Sequence, residues 1–227
     1  MRDLHLVPSG AGRSCACYEG FRVLDKYLKA AVLSALRPLA GLLIRLGLSP
    51  DFLTLAGLLT NLVATAAFGM GRLRWGAVIM LAAGICDILD GQVAREGRKE
   101  TKFGALLDST TDRYSEIFIY FGIGAYFIRM GDWGPSGVLF FALCGSLMVS
   151  YVRARAEGLG EECKVGFMQR PERIVALALG GIVGRRSLIF ALVLLAVTTN
   201  LTVLERLAYI RNKLKSRPGP TTLQGSP

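Results

Sequence analysis

The sequence is poor in histidine, and its cysteines do not form an even set. Its single histidine, His5, lies in a polar segment, which excludes histidine-based acid–base catalysis and histidine metal sites in the rest of the chain. The five cysteines are an odd number, and Cys86 and Cys144 fall within apolar runs, so we expect no disulfide framework. No nucleic-acid-binding motif is apparent, and the N-terminal segment lacks the continuous apolar core of a signal peptide. The chemistry must therefore come from other residue types.

Apolar residues dominate instead. They make up 52% of the chain, and the mean hydropathy is +0.44. Six runs approach the length that crosses a bilayer, and we predict helices over residues 51–70, 74–95, 103–129, 134–157, 171–184 and 187–208. Residues 21–49 mix apolar and basic side chains, which predicts an amphipathic helix in the membrane interface, bent near Pro38, with a soluble helical cap as the alternative.

The predicted fold class is therefore an all-α membrane protein, with six transmembrane helices preceded by an amphipathic juxtamembrane helix. The predicted organisation is a flexible tail over 1–20, the interfacial helix over 21–49, a transmembrane domain over 50–211 and a disordered tail over 212–227. Of the 27 Lys and Arg residues, 21 fall on one side of this arrangement and five in the turns on the other. The bias predicts an integral, multi-pass protein of the cell membrane whose N-terminus faces the cytoplasm.

Four aspartates lie near the inner ends of the second and third spans. Asp87 and Asp90 are three residues apart, and Asp108 and Asp112 four, so each pair shares one helix face. The same faces carry small residues that leave space for a ligand, namely Gly91, Ala94 and Gly104. Ionisable groups within membrane segments are costly and indicate a functional site. The pattern predicts a carboxylate cage for divalent cations with room for phosphate, opening to the cytoplasm; a structural cation site or a transporter's cation path is the alternative.

The order D-x2-D-G-x2-A-R-x8-G-x3-D-x3-D over residues 87–112 resembles the signature of the CDP-alcohol phosphotransferases. The resemblance implies transfer of a phosphatidyl or archaetidyl group from CDP-diacylglycerol or CDP-archaeol to an alcohol, with release of CMP. It implies two cations, Mg²⁺ or Mn²⁺, on the four aspartates, with Asp112 also acting as general base, and it implies a homodimer. The positions it implies for the CDP-lipid are Gly91, Ala94, Arg95, Thr101 and Gly104. The segment from Pro50 to Gly57 resembles the family's start of the first span, except for Asp51 where asparagine is usual, and adds Thr54; Asp51 and Thr54 could instead cap the helix.

A second part of the sequence narrows the choice of the acceptor alcohol. The segments from Ser150 to Glu157 and from Arg170 to Arg173 are similar to the phosphatidylinositol phosphate synthases and their archaeal counterparts. That resemblance implies inositol 1-phosphate as acceptor, with glycerol 3-phosphate, serine or another alcohol as alternatives. The basic residues that we expect around its phosphate are Arg153, Arg155, Lys164, Arg170 and Arg173. Any one of them could instead be a positive charge that merely flanks a span.

Overall fold

A computed structural model describes residues 31–163, 165–166 and 168–215. Within those residues the regular structure consists of seven helices. They are α1 (31–45), α2 (Pro50–Gly69), α3 (Leu73–Glu96), α4 (Lys102–Arg129), α5 (Trp133–Gly158), α6 (Arg170–Val183) and α7 (Arg185–Lys215). The all-α prediction is confirmed, and each predicted span coincides with one helix that begins one or two residues before the predicted start.

Four of these helices are long and apolar enough to cross a membrane. They are α2, α3, α5 and α7, in the part of the chain that the structure describes. Helix α4 falls outside this class because its first half carries acidic and basic residues, and α6 because it has only 14 residues. The chain is thus an integral membrane protein in which four of the six predicted spans meet the criteria of length and composition.

Local sequence signals set the inner ends of the helices around the aspartates. The Ser49 side chain caps α2 by accepting a hydrogen bond from Phe52 N at 3.3 Å, and Pro50 follows as the first helical residue. The Thr101 hydroxyl caps α4 by accepting from the backbone N–H of Gly104 at 2.8 Å. These caps fix where α2 and α4 begin, beside the end of α3.

Small residues let the helices approach closely. A Cβ atom on Gly122 of α4 would lie 2.4 Å from the carbonyl oxygen of Thr65 on α2, so only glycine fits there. Between α5 and α7, a Cβ on Gly145 would lie 2.1 Å from Thr199 Oγ1. The main core lies between these contacts, with Tyr120 of α4 fully buried. This packing holds α2, α3 and α4 as one unit beneath the aspartates.

The described part of the predicted interfacial helix is α1. It is helical without interruption from residue 31 to residue 45, through Pro38, where we predicted a bend; the stretch 21–30 lies outside the described residues. Ala40 is fully buried in a cluster with Leu53 and Val93, and Gln92 Nε2 donates to the Leu33 carbonyl oxygen at 2.7 Å. The helix therefore packs on α2 and α3 rather than lying apart from the bundle.

The boundary predicted for the C-terminal tail was wrong. Helix α7 continues to Lys215, so residues 212–215 are helical; 216–227 lie outside the described residues. Tertiary contacts explain the extension, because Ile210 packs with Ala156 and Cys163, and Lys213 Nζ pairs with Glu161 Oε2 at 2.9 Å. Polar composition alone did not reveal that the segment after α5 covers this last part of α7.

Candidate active site

Three of the four predicted carboxylates form one cluster between α3 and α4. One carboxylate oxygen from each of Asp87, Asp90 and Asp108 lies within 4.8 Å of the others. Asp90 is only 5% exposed, and the other two are partly buried. Hard divalent cations prefer oxygen ligands, so this donor set fits Mg²⁺ or Mn²⁺.

Asp112 is held by a different partner. Its Oδ1 atom lies 2.6 Å from Nη2 of Arg170, while Nη1 of the same guanidinium lies 2.7 Å from Asp87 Oδ2. Arg113 is more distant, with 3.9 Å between its Nη1 and Asp112 Oδ2. Arg170, the first residue of α6, therefore bridges two carboxylates that belong to different helices.

A cavity of about 170 Å³ opens beside the cluster, between α2, α3 and α4. We call it the α2–α4 cavity. Its walls include all of the positions predicted for the CDP-lipid, which are Thr54, Gly91, Ala94, Arg95, Thr101 and Gly104. Asp90 and Asp108 form the wall that it shares with the carboxylate cluster. The positions that the family resemblance implied therefore surround one space.

Two glycines keep that space open. A Cβ on Gly104 would lie 3.0 Å from Thr101 Oγ1 and 3.3 Å from Asp51 Oδ1, and a Cβ on Gly91 would lie 3.2 Å from Nη1 of Arg95. A larger side chain at either position would push into groups that line the cavity. The two glycines therefore fit the role of admitting a bulky ligand close to the backbone.

A second, larger cavity of about 360 Å³ lies on the other side of the cluster. The lining of this α5–α6 cavity includes four acidic side chains and five arginines. The acidic residues are Asp108, Asp112, Glu116 and Glu157, and the arginines are Arg113, Arg153, Arg170, Arg173 and Arg206. Of the basic residues predicted around the acceptor phosphate, the structure thus brings three together. Arg155 is exposed and is not among the lining residues, and Lys164 lies outside the described residues.

Arg206 of α7 belongs to this cavity, and sequence reasoning missed it. It is 4% exposed, and it donates from Nη1 to the Val149 carbonyl oxygen at 2.6 Å and from Nε to the Val165 carbonyl oxygen at 2.9 Å. The sequence did contain a signal for Arg206, because an arginine within a long apolar helix is energetically costly and indicates a functional site. It was counted instead as a flanking positive charge of the last span.

Glu116 was also missed. Both of its carboxylate oxygens accept hydrogen bonds from Arg173, from Nε at 2.8 Å and from Nη2 at 3.2 Å. Arg173 is 2% exposed, so the pair is a buried, two-pronged contact between α4 and α6. Glu116 follows Asp112 by four residues, a spacing that places it on the same helix face and could have revealed it.

Comparison with known proteins decides the family. The sequence model described as CDP-alcohol phosphatidyltransferase matches residues 47–204, which is more than half of the chain and includes every described site residue except Arg206. The chain belongs to the CDP-alcohol phosphatidyltransferase family. It is therefore a membrane transferase of the CDP-alcohol phosphotransferase type, which decides against the cation-transport alternative.

Curated relatives lie within this family. The chain is 41% identical over 177 residues to the archaetidylinositol phosphate synthase of Methanothermobacter thermautotrophicus, covering 75% of this chain and 87% of that protein. It is 36% identical over 195 residues to the phosphatidylinositol phosphate synthase of Mycolicibacterium smegmatis, covering 81% and 86% respectively.

The fold is similar to solved structures of another such relative. The crystal structure of Mycobacterium tuberculosis phosphatidylinositol phosphate synthase with CDP-DAG bound gives a TM-score of 0.72 at 32% identity, covering 83% of this chain and 98% of that one. The structure of the same protein in complex with manganese and citrate gives 0.71 at 33% identity, covering 80% and 90%. The similarity extends over most of both chains, so it includes the helices that carry the site.

Proposed function

We propose that this transferase moves the phosphatidyl or archaetidyl group of a CDP-lipid onto inositol 1-phosphate, with release of CMP. The observation that carries the proposal is the position of one carboxylate cluster between two cavities of opposite character. The smaller α2–α4 cavity has Gly91 and Gly104 in its walls, whereas the larger α5–α6 cavity has five arginines and four acidic residues. One suits a nucleotide pyrophosphate and the other a phosphorylated acceptor.

The aspartates are the proposed ligands for two divalent cations, Mg²⁺ or Mn²⁺. The cluster of Asp87, Asp90 and Asp108 has the donor type and the closeness that such a cation requires. When bound, the cations would supply positive charge that neutralises the pyrophosphate and the charge developing on it during transfer. A manganese complex of a relative, the Mycobacterium tuberculosis enzyme, supports this assignment.

The chain's own residues would perform the remaining tasks. Thr54 orients Asp90 through a hydrogen bond of 2.6 Å, so that one carboxylate of the cluster is fixed before substrate arrives. Gly91 and Gly104 admit the nucleotide, and Arg95, Thr101 and Ala94 complete that wall. Asp112 lines the α5–α6 cavity, where it can accept the proton of an acceptor hydroxyl.

The charge of the α5–α6 cavity favours a phosphorylated acceptor over a neutral one. Arg206 donates to two backbone carbonyl oxygens, which carry no net charge and so leave its positive charge uncompensated by these contacts. Arg153 lines the same cavity, where its Nε lies 2.9 Å from Glu157 Oε1. An acceptor dianion must approach an already anionic pyrophosphate, and guanidinium groups stabilise such an anion well. Free inositol or serine would not need this charge.

We further propose that α2 to α7 all cross the bilayer, with the N-terminus and the site facing the cytoplasm. The excess of Lys and Arg on that side supports the orientation. Helices α4 and α6 can cross although they are polar or short, since their polar ends line the site rather than lipid. The division into 1–20, 21–49 and a transmembrane domain from residue 50, the interfacial position of α1 and a homodimer are parts of the same proposal.

The experiment is a product analysis with the purified full-length chain. The protein is incubated with Mg²⁺ or Mn²⁺ and either CDP-diacylglycerol or CDP-archaeol, in parallel with inositol 1-phosphate, free inositol, glycerol 3-phosphate and serine. We expect CMP and a phosphatidylinositol or archaetidylinositol phosphate that retains the acceptor's own phosphate. Inositol 1-phosphate should be used far better than free inositol. A preference for free inositol or serine would contradict the proposal, and a preference for glycerol 3-phosphate would keep the cavity argument but change the acceptor.

A further inference from the structure

The guanidinium of Arg170 lies where the carboxylate site needs positive charge. Nη1 lies 2.7 Å from Asp87 Oδ2 and Nη2 lies 2.6 Å from Asp112 Oδ1, both short contacts of a charge-assisted pair. The three side chains are mostly buried, with Arg170 25%, Asp87 30% and Asp112 13% exposed. In such surroundings an ion pair is screened much less than at an open surface.

This contact divides the four aspartates into two overlapping sets. Asp87, Asp90 and Asp108 already have oxygens close enough to share one cation. A second cation on the four-aspartate site would have to use Asp112, which is outside that group, together with a neighbouring carboxylate. Asp87 and Asp112 are the two that Arg170 bridges, so its guanidinium contacts two of the carboxylates that a second cation would need.

The two occupants exclude each other. Arg170 contacts one oxygen of Asp87 and one of Asp112, so a divalent cation coordinated by the same two carboxylates would lie close to the guanidinium and would repel it strongly at such short range. Arg170 also lines the α5–α6 cavity together with Arg153, Arg173 and Arg206. Its displaced side chain would therefore lie in the cavity that we assign to the acceptor.

We propose that Arg170 is an internal counter-cation that holds the Asp87–Asp112 pair until a second divalent cation displaces it, and that the displaced guanidinium then binds the acceptor's phosphate. Arg170 would thus be a positioning residue that couples cation loading to acceptor binding. This inference rests on the proposed function, because it assumes that the four aspartates load two cations. The proposal predicts an ordered binding of ligands, because the acceptor site would be complete only after both cations are bound.

The test is a direct measurement of Mn²⁺ binding to the purified full-length chain without CDP-lipid, by calorimetry or by the electron paramagnetic resonance of free Mn²⁺. We expect the wild-type chain to bind one Mn²⁺ well and a second weakly. In Arg170→Gln the second Mn²⁺ should bind about tenfold more tightly or better, since a competitor that occupies a site nine-tenths of the time lowers the apparent affinity by about that factor. The first Mn²⁺ should change much less.

Arg155→Gln is the matched control, because it removes the same charge from an exposed position outside the cavity. Its second Mn²⁺ should bind within about twofold of the wild-type value, since an exposed charge is largely screened by salt. An unchanged or weakened second site in Arg170→Gln would overturn the proposal, because Arg170 would then be a fixed support that holds Asp87 and Asp112 in place. If Arg170→Gln does not fold, Arg170→Lys gives the same decision with a smaller expected gain, since one ammonium group cannot form the same two-pronged bridge.

A second arm tests the coupling. Inositol 1-phosphate offers the displaced guanidinium a new partner, so saturating amounts should raise the affinity of the second Mn²⁺ site in the wild-type chain. Mn²⁺ should raise the affinity for inositol 1-phosphate by the same factor. This mutual effect should largely disappear in Arg170→Gln, and undiminished coupling would overturn the acceptor half of the proposal. Neither arm measures product, so failure here is distinguishable from failure of the proposed function, which the product analysis of the wild-type enzyme decides.

Discussion

Thr54 of α2 donates a hydrogen bond to Asp90 of α3, with 2.6 Å between Oγ1 and Oδ2. Thr54 is 8% exposed and Asp90 is 5% exposed, so little water competes for this contact. It joins the wall of the α2–α4 cavity to the carboxylate cluster. The threonine thus sets the direction of a carboxylate that we assign to a cation, as partners of metal ligands commonly do.

Removing this hydroxyl should weaken the site without disturbing the packing. Thr54→Val keeps the shape of the side chain but removes the hydroxyl that donates to Asp90, so we expect Mn²⁺ affinity or activity to fall about tenfold or more, the usual effect of losing such a partner. Thr54→Ser, which keeps the hydroxyl, is the control and should stay close to wild type. Equal affinity and activity in Thr54→Val and the wild-type enzyme would show that Asp90 is oriented by other contacts.

The aspartates should separate into two classes when substituted singly. Asp90→Asn removes a ligand of the three-carboxylate cluster, so the tightly bound Mn²⁺ and the activity should both be lost. Asp112 lies outside that cluster, so Asp112→Asn should keep the first Mn²⁺ while turnover falls about a hundredfold or more, as expected for loss of a general base. Mn²⁺ titration and steady-state rates measure the two effects. Wild-type turnover in Asp112→Asn would require another base.

Those parts of the site that lie on single helices followed from the sequence. The helical period places Asp87 and Asp90 on one face of α3 and Asp108 and Asp112 on one face of α4, together with the small residues beside them. Thr54 and Gly104, which both line the α2–α4 cavity, were named from the family resemblance. The apolar runs predicted the helix starts to within two residues, and two of these starts carry the local caps Ser49 and Thr101.

The other side of the site depends on how distant helices meet, and sequence spacing could not supply that. Arg170 and Arg173 were both predicted to face a phosphate, yet one bridges Asp87 and Asp112 and the other pairs with Glu116. Arg206 enters from α7, which joins the site only through tertiary packing. Buried charges are usually paired with opposite charges. The partners of Arg170 and Arg173 lie 57 or more residues away along the chain.

Enlarging Gly91 should block substrate while leaving the fold intact. Gly91→Leu would fill the α2–α4 cavity, so binding of CDP-lipid should be lost, although leucine suits a membrane helix at least as well as glycine does. Gly137→Leu on α5 is the matched control, because a Cβ there meets nothing within 4 Å. Both variants should elute as monodisperse protein, and only the control should bind the nucleotide. Normal binding by Gly91→Leu would place the CDP-lipid elsewhere.

We expect the Arg173–Glu116 pair to stabilise the fold in addition to any role in binding the acceptor. Arg173→Met leaves the Glu116 carboxylate in a largely buried position without its partner, which typically costs about 3–5 kcal/mol. Thermal unfolding should show a clear loss for this variant, and the double variant Arg173→Met with Glu116→Gln should recover much of it because the stranded charge is removed. If the single variant unfolds at the wild-type temperature, the pair has no structural role, and Arg173 is free to serve the acceptor alone.

The arginines at the end of α5 give the sharpest test of the acceptor site. Arg153 and Arg155 are two residues apart, so on a helix they point about 200° away from each other. Only Arg153 lines the α5–α6 cavity, where its Nε lies 2.9 Å from Glu157 Oε1. The sequence alone could not choose between the two, because both flank the same span and both suit a phosphate.

Kinetics can choose between them. A charge-assisted contact to phosphate is worth about 1.5–3 kcal/mol, and exposure of Arg153 favours the lower value, so Arg153→Ala should raise the apparent KM for inositol 1-phosphate about tenfold. Its KM for CDP-lipid should change little, since that ligand is assigned to the other cavity. Arg155→Ala should change the acceptor KM by less than about twofold, because a screened surface charge contributes little. A larger effect of Arg155 than of Arg153 would place the acceptor's phosphate outside the α5–α6 cavity, on the surface near Arg155.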